Sequence, residues 1–243
     1  MRCVALAIWL IAALPCLAQS TNACRQALLL AIDVSGSVDA EEYRLQLEGL
    51  AAALEHPQVV AALTAMPDAP VRLAVMEWSG PDYQRMILPW RTIRSAADLP
   101  ELRQQLRATR RVEAPLSTAI GSALLRGQAE LARAGQAKCW RRVIDVSGDG
   151  KSNTGPLPGQ ISESLGDVLV NGLVIAEAVP TAGEGRQPEP GELVAYFRAY
   201  VLHGPDAFLE TAFGFRDFEA AMVRKLLREL SIEPLAFRMD TAN

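Results

Sequence analysis

The chain has 243 residues, half of them hydrophobic, with 28 acidic against 24 basic side chains and a net charge of −4. That balance argues against a nucleic-acid binder, which needs a basic face, and two histidines in the whole chain give little material for a zinc site or a Ser-His-Asp triad. The length suits a single α/β domain with a sizeable core.

The first stretch, MRCVALAIWLIAALPCLAQS, has Arg2 as a short positive start, an apolar run from Val4 to about Leu14, and small residues before a cut after Ala18. This pattern reads as a secretory signal over residues 1–18. The run is shorter than the roughly 20 residues that a bilayer requires. No later segment is apolar enough to cross one, so no stable membrane span is expected in the mature chain. Residues 19–243 are then expected to form one domain, periplasmic or secreted. Cys3 and Cys16 leave with the signal. Cys24 and Cys139 remain in a compartment where disulfides persist, and the residues alone allow one pairing or two buried thiols.

QALLLAIDVS is an almost continuous apolar run ending at Ser-Gly-Ser, which predicts a central parallel strand. Tyr43, Leu47, Leu50, Ala51 and Leu54 then recur at helical spacing. Asp39, Glu41 and Glu42 precede or open that helix, where negative charge is favourable. VRLAVMEWSG and RMILPWRTI read as two strands joined by a turn around Gly80 to Asp82; Glu77 and Asp82 are expected in solvent beside that turn. Helical patterns follow over about Ser95 to Ala108 and Thr118 to Ala134. WRRVIDVSGDG and LVNGLVIAEAV predict further strands, separated by a short helix between Gln160 and Leu169. Pro180 to Glu192 is rich in Pro, Gly and charge and predicts a loop. LVAYFRAYVLHG is helical, AFLETA fits an edge strand, and FRDFEAAMVRKLLREL closes the chain as an amphipathic helix. Strands alternating with helices imply a doubly wound, mostly parallel sheet covered on both faces, a Rossmann-like α/β fold.

The pentapeptide IDVSG occurs twice, at Ile32 to Gly36 and Ile144 to Gly148. The flanking residues differ, which opposes a duplication. Val34 and Val146 sit where paired acid-protease aspartates need Thr or Ser. The copies also differ in role. In the first, Asp33 ends its strand and Ser35 and Ser37 follow in the turn. In the second, the turn position belongs to Asp149, while Asp145 lies about 13 Å back along an extended strand, where a buried carboxylate needs a partner. Ligands of doubly wound sheets gather outside the carboxyl ends of the strands, where strand order reverses. Thr118, at the expected start of a helix, adds a third wall there.

Asp33-x-Ser35-x-Ser37, then Thr118 followed by Ala123-Leu124, then Asp149-Gly150, resembles the metal-ion-dependent adhesion site of von Willebrand factor type A (vWA) domains. The whole chain is most similar to an uncharacterised secreted bacterial branch of that superfamily, a domain of unknown function. Leu116-Ser117-Thr118 stands where many members have Gly-Gly-Thr, and Gly148-Asp149-Gly150 where many have Thr-Asp-Gly or Ser-Asp-Gly. The resemblance implies Mg²⁺ or Mn²⁺ held by Asp33, Ser35, Ser37, Thr118 and Asp149, donors whose hard oxygens suit such ions. It implies a protein partner presenting Asp or Glu to complete the metal's sphere. In that fold the strands carrying Cys24 and Cys139 would start at one edge, which favours a disulfide. The rivals are a metal-assisted hydrolase, for which no base-nucleophile pair is visible near the motif, and a structural envelope protein with a vestigial site. A binding module rather than an enzyme is the expectation; oligomeric state is left open.

Overall fold

The computed structural model describes residues 23–133, 138–176 and 190–231. The signal sequence and most of the expected Pro180 to Glu192 loop lie outside those residues. Six strands, β1 (Cys24–Asp33), β2 (Val71–Trp78), β3 (Gln84–Ile93), β4 (Cys139–Gly148), β5 (Leu169–Ile175) and β6 (Leu209–Ala212), form one sheet in the order β3-β2-β1-β4-β5-β6. β3 runs antiparallel to β2, and every other pairing is parallel. β1 and β5 are buried along their whole length, as the unbroken apolar runs require of strands covered on both faces.

One face of the sheet packs against α1 (Ala40–Ala53), α2 (Pro57–Thr64), α3 (Leu99–Ala108) and α7 (Phe218–Glu229). The other packs against α4 (Ile120–Ala132), α5 (Pro158–Leu165) and α6 (Pro190–Tyr196), which continues into a π-helical turn at Phe197–Val201. The short helix α2, opened by Pro57, has no counterpart in the sequence reading. α1 starts where its acids predict. Asp39 accepts the Glu42 N–H at 2.8 Å and Glu42 accepts the Asp39 N–H at 2.7 Å, a reciprocal cap. Tyr43, Leu47, Leu50, Ala51 and Leu54 are all buried beneath it.

Two polar clusters interrupt the core. Glu77 is not solvated as expected from sequence. It lies inside β2 and accepts from Tyr43 Oη (2.8 Å), Tyr83 Oη (2.5 Å) and Arg85 Nε (2.7 Å), so that three donors from three elements offset its burial. Under α7, the fully buried Lys225 lies 3.0 Å from Asp145 Oδ1. The Glu229 carboxylate there accepts from Gln26 of β1 (3.2 Å) and Asn171 of β5 (2.6 Å). Asp145 is thus a paired structural acid, and burial still pushes its carboxyl up, to about 6, against the pull of the Lys225 ammonium.

Cys24 lies opposite Cys139 in the β1–β4 register and the two form a disulfide across a sequence separation of 115. A closed loop of that length stabilises by about 3 to 5 kcal/mol; replacing both cysteines with serine should lower the urea midpoint accordingly, with no loss of helical circular dichroism under native conditions. Lys225→Met strands Asp145 and the nearby buried Glu229 carboxylate, 3.9 Å from the ammonium, and should cost about 3 to 5 kcal/mol, whereas the triple change Lys225→Met, Asp145→Leu, Glu229→Gln should recover most of that loss in the same titration.

Candidate functional site

The sheet reverses its winding between β1 and β4, and the crevice at their carboxyl ends is where a doubly wound fold gathers ligands. β1 delivers Asp33 there. The loop that follows is tied down from several sides: Val34 N–H donates to Trp78 O at 2.9 Å, Gly36 N–H to Leu116 O at 2.9 Å, and Val38 N–H to Ser35 O at 3.0 Å. A Cβ on Gly36 would stand 2.9 Å from Leu116 Cβ and O, so the close approach of the two loops requires glycine. Within the turn, Ser35 N–H donates to Asp33 Oδ1 at 2.8 Å, and the Ser35 and Ser37 hydroxyls are 3.4 Å apart.

β4 brings the second carboxylate. Ser37 Oγ donates to Asp149 Oδ1 at 2.6 Å, which joins the two IDVSG-containing segments directly. Gly148 passes so close to Asp33 that a Cβ there would stand 3.1 Å from Asp33 Oδ2. Thr118 completes the wall. It lies in the loop before α4 rather than on the first helical turn expected from sequence. Its N–H donates to Asn153 Oδ1 and its carbonyl accepts from Asn153 N–H, both at 2.9 Å. Its Oγ1 and Cγ2 both lie 3.9 Å from where a Cβ on Gly150 would stand, next to Asp149. Asp33, Ser35, Thr118 and Asp149 are buried and Ser37 is exposed, so the cluster opens outward at Ser37.

The electrostatics are unbalanced. Burial, reinforced by the negative charge of Asp149, pushes the Asp33 carboxyl up to about 8, although hydrogen bonds from Ser35 and from the Asp149 backbone oppose this. Asp33 Oδ2 is buried and has no hydrogen-bond partner among the described residues. Two adjacent buried carboxylates call for a proton or a cation. Among the described residues, no three His, Cys, Asp or Glu side chains form a cluster fit for a metal; the donor set here is two carboxylates with three hydroxyls, which fits a hard divalent ion.

Some supporting residues were not singled out from sequence. Gln46, a polar residue of α1, is fully buried and its Nε2 donates to Asp33 O at 3.0 Å. Its position three residues after Tyr43, on the apolar stripe, was the available signal. Arg111 also escaped notice. It donates to Val38 O, to Asp39 O at 2.7 Å and to Val34 O at 3.4 Å, and so holds the loop from outside. Asn153 offered no periodicity, because it lies in an irregular loop.

Sheet order, helix placement and this crevice define a vWA-like domain. Solved structures similar to it include proximal thread matrix protein 1 of the mussel byssus with a zinc-occupied MIDAS motif (TM-score 0.58, 13% identity, covering 84% of this chain and 48% of that one). An aerotolerance-related membrane protein from Bacteroides fragilis is similar over 84% of this chain and 98% of its own (TM-score 0.55, 13% identity). A von Willebrand factor type A protein from Catenulispora acidiphila matches with TM-score 0.54 and 16% identity, over 85% and 43% of the respective chains. This chain therefore spans less than half of the mussel protein. By sequence it belongs to the family described as Protein of unknown function (DUF1194), which matches residues 23–234. No curated protein matches it.

The tight seat of Gly148 gives a test of the packing around Asp33. Gly148→Ala should cost about 1 to 3 kcal/mol by crowding that carboxylate. Gly150→Ala, whose nearest neighbours stand at 3.9 Å, should stay within about 0.5 kcal/mol in the same urea titration.

Proposed function

We propose that this domain is an exported, metal-dependent protein-binding module. Asp33, Ser35, Ser37, Thr118 and Asp149 hold the ion, Mg²⁺ or Mn²⁺, and a partner protein offers an Asp or Glu side chain to it. The observation that carries this reading is the meeting of two buried carboxylates with three hydroxyls at the sheet's reversal point, with Asp33 Oδ2 lacking a hydrogen-bond partner. When bound, the ion supplies a positive, hard centre that a carboxylate can complete. The chain's own residues do the rest. Ser35 N–H and the Gln46 amide fix the orientation of Asp33, Ser37 links the two carboxylate-bearing loops, and Asn153 fixes Thr118.

Two carboxylates balance the charge of a divalent ion, but five protein oxygens leave one of its six coordination positions free, and a partner carboxylate can take it. In this reading the domain works by binding and not by turnover. The neighbour with a zinc-occupied MIDAS motif supports the placement of a metal in this fold. The Cys24–Cys139 disulfide supports a periplasmic or secreted location, where such bonds persist.

Calorimetric titration of Mg²⁺ and Mn²⁺ into chelator-treated protein is the test. Saturable one-site binding is expected, weakened at least a hundredfold in Asp33→Ala while circular dichroism stays native. Heats no larger than dilution, or equal binding in wild type and Asp33→Ala, would remove the metal from this site.

A further inference from the structure

Most of the sheet's own bases lie toward the edge where its parallel strands begin. At the carboxyl ends of the strands stand Asp33, Glu77 and Asp149. At the opposite edge, Arg25 follows the first residue of β1, Arg72 is the second residue of β2, and Arg141 and Arg142 are the third and fourth residues of β4. Arg94 follows the end of antiparallel β3, which pairs Ile93 with Val71 and so finishes at that same edge. Arg25 is buried against carbonyls of α2 and the end of α7, and Arg142 faces Asp167, so neither is available to a ligand. Lys138, Arg141 and Arg94 remain exposed, with Arg141 donating to Glu229 O at 3.4 Å and Arg94 to Pro67 O at 3.1 Å, and the acids in the loops of this edge include exposed Asp68 and Asp167 and half-buried Asp98.

Among these bases stands Trp140, 61% exposed. The large indole is the second residue of β4, directly after Cys139, and the disulfide to Cys24 fixes that strand end to the start of β1. It is a rigidly mounted, solvent-facing aromatic with a basic residue on either side, Lys138 two before it and Arg141 directly after. Indole rings settle at the headgroup level of bilayers, and nearby bases gain from anionic headgroups.

We propose that this edge is a membrane-contact surface for an anionic phospholipid bilayer, with Trp140 inserted among the headgroups and Lys138 and Arg141 on their phosphates. Docked this way, the domain presents the Asp33 and Asp149 crevice away from the membrane, toward soluble or opposing partners. The contact stands on residues separate from the candidate metal site.

The test is co-sedimentation of residues 19–243, which contain every described residue, with vesicles of phosphatidylcholine alone or with 40 mol% phosphatidylglycerol (about that fraction suffices for a strongly negative surface). Chelator is present throughout, so that the crevice contributes no metal bridge. The expected result is binding to the anionic vesicles only, weakened by salt. Trp140→Ala should lower the partition coefficient at least tenfold, and Lys138→Gln or Arg141→Gln about fivefold each, with melting temperatures unchanged. Trp140→Phe should keep most of the binding and serves as the second variant if Trp140→Ala unfolds. Failure to sediment with anionic vesicles, equal binding to both vesicle types, or full binding by Trp140→Ala would overturn the proposal. Loss of binding on adding inorganic phosphate at matched headgroup concentration and ionic strength would instead assign the bases to a free anion and also overturn it.

Discussion

The parallel register of β1 against β4 fixes both ends of this molecule. Cys24 lies opposite Cys139 and Ala31 opposite Val146, so the strands stay in step for their whole shared length. At the entry end that alignment permits the disulfide. At the exit end it sets Asp33 beside Gly148 and within reach of the loop carrying Asp149. A slip of one residue would turn every β4 side chain to the other face, separating Asp145 from Lys225 as well as displacing the crevice.

The two IDVSG segments show how one string of letters takes two roles. In β1, the aspartate is the last strand residue and meets the turn N–H groups. In β4, the corresponding aspartate lies inside the sheet and needs a cation from α7, while the outer role passes to the next aspartate along. The difference is positional: in register Asp145 stands opposite Leu30, three residues before Asp33. Burying an ionised carboxylate without a partner is costly, and the chain answers the cost differently at each place. Lysine serves Asp145, two tyrosines and an arginine serve Glu77, and Asp33 is left with one oxygen lacking a hydrogen bond.

That exception separates stability from function. The Glu77 and Asp145 clusters are closed among their own elements and tie helices or hairpin to sheet. The Asp33 and Asp149 cluster lies at the surface end of the strands, opens at exposed Ser37, and is held by groups that fix its backbone more than they neutralise its charge. Gln46, Arg111 and Asn153 all bond to backbone around it. Such a scaffold keeps the loops in place whether or not the charge is compensated.

From the sequence alone, hydrophobic runs and turn residues sufficed for the order of strands and helices, because apolar periodicity reports burial locally. The spacing of Asp33, Ser35 and Ser37, the distinction between Asp145 and Asp149, and the acidic start of α1 were equally legible, since each depends on residues only a few positions apart. Tertiary structure alone decided the partners. That Lys225 would neutralise Asp145, that Glu77 would be buried instead of solvated, that Gln46 would support Asp33, and that Trp140 would face solvent beside Lys138 all depend on elements brought together from distant parts of the chain. No local pattern encodes such meetings, because they are fixed by how the sheet orders its strands and how the helices cover it.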